Sequence, residues 1–240
     1  MKPFLRKLLR STGLDSYLHG YFSNIINTRQ LAHILRQVGA DLVFDIGANQ
    51  GQFAQSLLIE GFGGKVVSFE PLSEAHRQLA VATRQFPNWI AHDRCAIGDC
   101  DGNVDINVSM NSASSSILGM LDAHRSAANE SAYVSSESVP IVKLDSILPL
   151  YAKSGSQIFL KIDTQGYEWQ VLDGASHMLP VVKGILCELS LVELYQGQRL
   201  WLDIIKRLER EGFVLWSLQQ GFTDNRSSRT LQLDAIFLRR

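Results

Sequence analysis

The chain has 240 residues and a formal net charge of -1, with 45% hydrophobic and 20% charged residues. This length suits one large domain with a buried core or at most two small ones, and the composition is ordinary for a globular protein. A near-neutral charge argues against a nucleic-acid-binding protein, which usually carries a basic surface. No apolar run approaches the roughly eighteen residues of a membrane span.

The cysteines and the first residues indicate the compartment. Cys95, Cys100 and Cys187 are odd in number and have no Cys-x-x-Cys spacing, which argues against a disulfide framework or a zinc site. Residues 1–10 lack the long apolar centre and small-residue cleavage site of a secretory signal. We therefore expect a protein of the reducing cytoplasm.

Basic and apolar residues are interleaved at the N-terminus. Residues 2–10 contain two lysines and two arginines among four large apolar side chains, a spacing that predicts a short amphipathic helix. We interpret residues 1–27 as an arm that precedes the main domain at 28–240. The arm could dock on the core, contact a second subunit in a homodimer, or lie on the inner face of an anionic membrane.

Residues 28–97 follow the alternation of an α/β fold. The apolar periodicity and turn residues predict helices at about 28–38, from about 52, and at about 73–85, and strands at 41–46, 65–69 and 90–97.

The pattern changes after residue 100. Segments 103–109 and 139–144 have the alternation of exposed strands, and between them lies a long stretch rich in serine and alanine, 111–138. Loops of that length without regular structure are uncommon inside a compact domain and are often lids or binding loops. We interpret residues 109–138 as an insertion over the active site.

The strand–helix alternation resumes at residue 158. It predicts strands at 158–162, 181–189, 213–218 and 231–238, helices at 166–172 and 200–211, and a polar hairpin turn at 221–229. Together the segments predict an α/β fold with a doubly wound, mostly parallel seven-stranded sheet and helices on both faces, a Rossmann-like arrangement.

The turn after the first strand differs from a dinucleotide-binding turn. That turn needs Gly-x-Gly-x-x-Gly so that a pyrophosphate can sit on bare backbone, whereas this chain has Asp45 at the first glycine, followed by Gly47 and Gly51. An acid there would repel a pyrophosphate, which argues against an NAD-dependent oxidoreductase, and would suit a cationic amino-acid end. Glu70, at the end of the second strand, is placed to accept hydrogen bonds from ribose hydroxyls. A ligand with an amino-acid cation, a ribose and no phosphate is S-adenosylmethionine.

Further acids lie at or just after the ends of predicted strands, namely Asp99, Asp163 and Glu188. Ligands of doubly wound sheets bind at the carboxyl ends of the strands. Acids gathered there repel each other unless a cation lies among them, and a sulfonium ligand would supply one. Any single acid, Asp163 in particular, could instead cap the helix that follows it.

Several sequence blocks carry a family resemblance. They are Phe44-Asp-Ile-Gly-Ala-Asn-x-Gly51, Phe69-Glu-Pro71, Ala96-Ile-Gly-Asp99, Val142-Lys-Leu-Asp-Ser146 and Leu160-Lys-Ile-Asp-Thr-Gln-Gly-Tyr-Glu-Trp169, the last followed by Leu172-Asp-Gly-Ala175. Together they resemble the FkbM-type family of S-adenosylmethionine-dependent methyltransferases, from about residue 28 to residue 238. The Lys-Ile-Asp-Thr-Gln-Gly-x-Glu block combined with Phe-Glu-Pro is the most specific part.

The resemblance implies roles for individual residues. The methionine end of the cofactor would be surrounded by Asp45, Gly47, Ala48, Asn49 and Gly51. Glu70 would hold the ribose, Pro71 and Leu72 would flank the adenine, and Ala96 and Asp99 would lie near the adenine or ribose. The acceptor side would be formed by Lys161 and Asp163, with the serine pair Ser115 and Ser116 near the pocket.

Methyl transfer to a hydroxyl needs an aligned acceptor and removal of its proton. Asp163 is the first candidate for the base, with Lys161 beside it. His124, in the serine-rich segment, could swing in as a base, although a solvent-exposed histidine of the lid is the simpler interpretation. A water molecule is the third alternative.

Carboxylates at these strand ends bind magnesium in related methyltransferase folds. Asp163 and Glu188 could contribute to such a site, but no third acid follows at a fixed spacing. We therefore do not favour a divalent metal and assign no metal ligands.

The resemblance implies an O-methyltransferase that acts on a hydroxyl of a sugar, a glycan or a secondary metabolite, with no nucleic-acid partner. Two alternatives come from other classes. One is a non-catalytic S-adenosylmethionine-binding module, in which we would expect the ligand-facing acids to be lost. The other is a membrane-associated scaffold that uses the N-terminal helix.

Overall fold

The structure is a computed structural model that describes residues 28–240. The predicted arm at 1–27, including the predicted amphipathic helix at 2–10, lies outside the described residues. No helix within residues 28–240 is long and apolar enough to cross a membrane. All three cysteines are free thiols.

The strands, in chain order, are β1 (Leu42–Ile46), β2 (Lys65–Phe69), β3 (Trp89–Ala91), β4 (Ala96–Ile97), β5 (Gly102–Ser109), β6 (Tyr133–Val142), β7 (Ile158–Ile162), β8 (Val182–Ser190), β9 (Phe213–Gln220), β10 (Thr223–Asp224), β11 (Arg229–Thr230) and β12 (Gln232–Arg239). The α-helices are α1 (helical at 28–37), α2 (Gln52–Ile59), α3 (Ser73–Ala82), α4 (Asp122–Ala127), α5 (Leu144–Tyr151), α6 (Glu168–Asp173) and α7 (Trp201–Arg210).

A seven-stranded sheet in the order β3-β2-β1-β7-β8-β12-β9 forms the centre of the fold. The first five of these strands are parallel, and β12 runs antiparallel between β8 and β9. Both faces are covered, which explains why β1 and β7 are buried along their whole length. Side chains of α1, α2 and α3 pack on one face, and those of α5, α6 and α7 pack on the other. The predicted α/β fold with a mostly parallel seven-stranded sheet is confirmed.

A small second sheet, in the order β4-β6-β5, lies beside the main one. The prediction of a single third strand at 90–97 is wrong, because the chain bends at residues 92–95 and passes from β3 in the main sheet to β4 in the small one. The strand predicted at 139–144 begins earlier, at Tyr133, and gives way to α5 at Leu144.

The serine-rich stretch is more regular than its sequence suggests. The expectation of a loop without regular structure over 111–138 is wrong, since the stretch contains 3-10 turns at Ser112–Ser114 and Asn129–Ser131, the helix α4, and the first part of β6. The start of β6 is mostly solvent-exposed and polar, so it lacks the apolar alternation by which a half-buried strand is recognised.

Candidate active site

The turn after β1 needs its first glycine because two loops meet there. Gly47 has φ +75°, and a Cβ at this position would lie 1.8 Å from the carbonyl oxygen of Asp163, at the end of β7. Gly51, with φ +92°, serves packing instead, since its Cβ would lie 2.6 Å from the ring of Trp89. The turn is thus held closely over the carboxyl ends of β1 and β7, with its backbone bare on one side.

Glu70 closes this turn from the end of β2. Its Oε2 accepts the backbone N–H of Asn49 at 2.8 Å, and its Oε1 accepts the backbone N–H of Leu72 at 2.9 Å. Burial raises the pKa of Glu70 to about 7, although both hydrogen bonds oppose that shift. Because each carboxylate oxygen has two lone pairs, each can accept one further hydrogen bond from a ligand.

A pocket opens between these loops and the small sheet; we call it the Glu70 pocket. Its walls are largely apolar, formed by Leu72, Cys95, Ala96, Ile97, Ile106 and Ile117. Of the predicted site residues, it is lined by Gly47, Asn49, Glu70, Pro71, Leu72, Ala96, Ser115 and Asp163. Apolar walls with a carboxylate at one end suit a flat base joined to a ribose.

Asp45 does not face this pocket, in contrast to its predicted place around the ligand. Its carboxylate is fully buried, accepts a hydrogen bond from the Ser68 hydroxyl at 2.9 Å, and lies 3.3 Å from Nζ of Lys161. Asp45 and Lys161 are paired neighbours in β1 and β7, which explains the contact. Lys161 Nζ in turn donates to the carbonyl oxygen of Gly47 at 2.8 Å. Asp45 therefore acts on the turn through Lys161.

Lys161 carries a stable positive charge. Burial lowers its pKa, but the carboxylates of Asp163 and Asp45 outweigh burial and raise the pKa above its usual value. The Lys161 ammonium is 3.4 Å from Oδ2 of Asp163, so one cation is shared by two carboxylates.

Asp163 lies where the loops after β1 and β7 meet. It does not cap the following helix, whose N-cap residue is Tyr167. Its Oδ1 instead accepts a hydrogen bond from Nε2 of Gln165, at 2.9 Å. The same Nε2 donates to Glu188 at 2.7 Å, and Gln165 Oε1 accepts the hydroxyl of Tyr195 at 2.8 Å. Gln165 thus fixes two carboxyl groups.

Gln165 belongs to the most specific sequence block but is not among the predicted site residues. The structural sign of its importance is a left-handed backbone, φ +54°, which is uncommon for a residue other than glycine. A sequence carries no direct signal for this conformation.

A second pocket, which we call the Asp234 pocket, adjoins the first. It is lined by Gly47, Ala48, Asn49, Gln52, Phe53, Ala113, Lys161, Asp163, Leu186, Glu188 and Asp234, among others. Gly47, Asn49, Ala113 and Asp163 line both pockets, so the two form one continuous cleft. Asp234 is not among the predicted site residues, although an acid inside an otherwise largely apolar strand indicates a functional position.

Strand register places three acids of this pocket side by side. Asp163 follows Ile162 in β7, which pairs with Cys187 of β8, and the next residue, Glu188, pairs with Asp234 of β12. Burial raises the pKa of Asp234 to about 6, and the charge of Asp163 adds to the effect. Burial, with the charges of Asp163 and Asp234, also raises the pKa of Glu188 well above its usual value.

Five predicted residues line neither pocket: Asp45, Gly51, Asp99, Ser116 and His124. Asp99 is exposed. The expectation that His124 is solvent-exposed is wrong: it is 2% exposed, and its ring lies 5.1 Å from that of Tyr195 and 5.2 Å from that of Phe222. Burial lowers the pKa of His124 to about 4, so the ring is neutral at physiological pH.

Two further features complete the geometry. Ser116, predicted to lie near the pocket, donates its hydroxyl to the carbonyl oxygen of Gln165 at 2.7 Å and so ties the serine-rich segment to the loop after β7. Within residues 28–240, no group of three or more His, Cys, Asp or Glu side chains could hold a metal ion.

The sequence from residue 45 to residue 215 matches the family described as the methyltransferase FkbM domain. The chain belongs to this family. It is an S-adenosylmethionine-dependent methyltransferase, as the sequence blocks implied, and the match extends from β1 into β9.

Several solved structures resemble this chain at low identity and with TM-scores below 0.5. The magnesium protoporphyrin IX methyltransferase from Synechocystis PCC 6803 with bound SAM is 12% identical, with a TM-score of 0.49 over 99% of this chain and 96% of that chain. The 1,6-didemethyltoxoflavin-N1-methyltransferase from Burkholderia thailandensis is 10% identical, with a TM-score of 0.48 over 100% and 92%. A putative RNA methyltransferase from Pyrococcus horikoshii is 12% identical, with a TM-score of 0.47 over 90% and 82%. Among curated proteins, no sequence matches this chain.

The residues of the cleft fit S-adenosylmethionine chemically. Glu70 has lone pairs to spare for ribose hydroxyls, and the apolar walls of the Glu70 pocket suit an adenine ring. Gly47 lines both pockets, so its backbone can contact a bound ligand directly. The carboxyl groups of the Asp234 pocket suit a cationic end.

Proposed function

We propose that the chain transfers a methyl group to a hydroxyl of a sugar, a glycan or a secondary metabolite. The observation that carries the proposal is the continuous cleft, in which an apolar pocket ending at Glu70 adjoins a polar pocket ending at Asp234, with Asp163 between them. When bound, S-adenosylmethionine supplies an electrophilic methyl group on a sulfonium centre.

The Glu70 pocket holds the nucleoside in this proposal. Glu70 accepts the ribose hydroxyls, while Pro71, Leu72 and Ala96 pack against the adenine. The backbone of Gly47 faces the amino-acid end, and its position is fixed from below by Lys161 and Asp45. A cofactor held in this way points away from the small sheet and toward Asp163.

The Asp234 pocket receives the acceptor. Its amides, Asn49 and Gln52, and its carboxyl groups offer many hydrogen-bond partners, and Phe53 adds an apolar surface. A hydroxyl-rich acceptor satisfies such a lining better than an apolar one, because buried polar groups need partners. The chain contributes to the reaction chiefly by alignment, which removes much of the entropic part of the barrier.

Calorimetry with S-adenosylmethionine and S-adenosylhomocysteine tests the proposed binding of the cofactor in the Glu70 pocket. We expect Glu70→Ala to weaken binding more than tenfold, about 1.4 kcal/mol. Glu74→Ala is the matched control, since Glu74 is an exposed acid nearby whose ion pair with Arg77 lies on the surface. Equal affinities for the wild type and Glu70→Ala would contradict the assignment of Glu70.

The acceptor half is tested by following S-adenosylhomocysteine formation with separate panels of sugars and glycans, amines, and RNA. We expect turnover with the hydroxyl-rich panel. Turnover confined to amines or to RNA would overturn the proposed acceptor class while leaving the methyltransferase itself intact.

A further inference from the structure

The Asp234 pocket contains more negative than positive groups. Its lining includes three carboxyl groups, those of Asp163, Glu188 and Asp234, and a single ammonium, that of Lys161. This ammonium is already in contact with Asp45 at 3.3 Å and with Asp163 at 3.4 Å. Within the part of the chain that the structure describes, neither of the other two carboxyl groups forms an ion pair.

Glu188 and Asp234 differ in their partners. Glu188 Oε2 accepts two amide donors, Gln165 Nε2 at 2.7 Å and Gln232 Nε2 at 2.6 Å. The side-chain carboxyl group of Asp234, its cross-strand neighbour, forms no hydrogen bond to another residue of the range 28–240. We call Asp163, Glu188 and Asp234 the carboxyl row.

The groups that face Asp234 favour the protonated form of a carboxyl group in the row. From β7 it meets Asp163 and Lys161, and from β8 it meets Glu188. The other residues that line the pocket beside it, such as Gln52 and Phe53 of α2, are uncharged. Burial raises the pKa of both Glu188 and Asp234, and the proximity of like charges adds to the effect. A cation that enters the pocket stabilises the carboxylates and so lowers these pKa values.

We propose that the carboxyl row releases a proton when the sulfonium form of the cofactor binds, and keeps that proton when the neutral thioether product is bound. The inference rests on the proposed function, in which the cofactor points toward Asp163 and so brings its sulfonium group to the edge of the Asp234 pocket, beside the acceptor. It adds that the row responds to the charge on the cofactor sulfur.

A deprotonated row has a direct use in methyl transfer. In the reaction an O–CH3 bond forms, the S–CH3 bond breaks with its electron pair left on sulfur, and the acceptor hydroxyl loses its proton. A carboxylate of the row can accept that proton. One positive charge and one negative charge then disappear together, so the buried net charge of the site does not change.

Proton release is measured by calorimetry in buffers with different ionisation enthalpies, at about pH 6, without any acceptor. At a pH equal to its pKa of about 6, Asp234 alone is about half protonated, so we expect S-adenosylmethionine to release about half a proton more than S-adenosylhomocysteine. Asp234→Asn should reduce this difference strongly. Asp203→Asn, at an exposed position on α7, should leave it unchanged.

The possible outcomes separate this inference from the proposed function. Tight binding of both ligands with equal proton counts in the wild type overturns the inference alone. If the difference in proton release between the two ligands is undiminished in Asp234→Asn, the proton comes from another group and the role of Asp234 is overturned. Glu188→Gln then tests its neighbour in the row. If neither ligand binds to folded wild-type protein, the inference and the proposed function fail together. Thermal unfolding of each variant shows that it is folded.

Discussion

At the scale of single residues, Gly47 sets the distance between the loops after β1 and β7. Any residue with a side chain would be destabilising at this position for two reasons, backbone strain at the left-handed φ and a steric clash with the carbonyl oxygen of Asp163. We expect Gly47→Ala to lower the free energy of unfolding by about 2–4 kcal/mol and to weaken cofactor binding more than tenfold. Urea unfolding and calorimetry measure the two effects.

Gly61→Ala is the control for this prediction. Gly61 also has a positive φ, +85°, but a Cβ there would have nothing within 4 Å. The substitution should cost about 1 kcal/mol of backbone strain and leave cofactor binding unchanged. If Gly47→Ala were no worse than Gly61→Ala, the close approach of the two loops would be irrelevant to the site.

Glu70 should give stability a measurable pH dependence. Its pKa is raised from 4.5 to about 7 in the folded state, so the folded protein binds this proton more tightly than the unfolded chain does. The resulting stability is fully present below about pH 4.5 and is lost as the pH rises through about 7. Relative to Glu70→Gln, the wild type should therefore lose up to about 3 kcal/mol over this window.

Urea unfolding of cofactor-free wild type and Glu70→Gln at several pH values checks the prediction. Comparing the two proteins cancels the opposing contribution of His124, whose lowered pKa makes the folded state lose stability as the pH falls from about 6.5 toward about 4. Parallel curves for the two proteins would show that Glu70 titrates normally.

A sequence motif is enough to position some residues at the cleft, whereas the positions that depend on a contact between distant parts of the chain cannot be predicted from the sequence. Glu70 could be placed because it ends an apolar strand after a recognisable turn. The burial of Asp45 could not be predicted, because it depends on Lys161, a neighbour in the sheet that lies far away in the chain. The position of Asp234 in the cleft could not be predicted for the same reason, because it depends on the pairing of Asp234 with Glu188 in the neighbouring strand.

At the scale of elements, α7 shows how one helix face supports the sheet. Leu208 is fully buried against the main sheet, whereas Leu202 on the same helix is 47% exposed. We expect Leu208→Ala to cost about 2–4 kcal/mol of unfolding free energy and Leu202→Ala less than about 0.5 kcal/mol. Both changes are leucine to alanine in one helix, so similar losses in urea unfolding would contradict the packing assigned to α7.

Elements were predicted reliably where their hydrophobic period was strong. The amphipathic α7 and the continuously apolar β1 and β7 fall close to their predicted positions. β4 is too short to show a period, and the exposed start of β6 shows none. Both strands belong to the small sheet, which supplies part of the lining of the Glu70 pocket. This part of the pocket could therefore not be predicted from the sequence.

At the scale of the whole molecule, the cleft joins three parts of the chain that are distant in sequence. They are the turn at 47–51, the serine-rich segment at 112–117, and the loop at 163–167. We propose that the segment within 109–138 acts as a lid. S-adenosylhomocysteine should then slow amide hydrogen exchange in all three parts while leaving α7, which lines neither pocket, unchanged. Unaltered exchange at 112–117 would exclude the lid.

The position of β12 has a consequence for the order in which the molecule can be assembled. β9 is synthesised before β12, yet within residues 28–240 it joins the main sheet only through β12. Until β12 emerges from the ribosome, β8 keeps an open edge and β9 has no strand of the sheet to pair with, so backbone hydrogen-bonding groups of both strands stay unpaired. Completion of the sheet is therefore a late event, and premature arrest of translation before residue 232 should yield a species that chaperones bind and proteases remove.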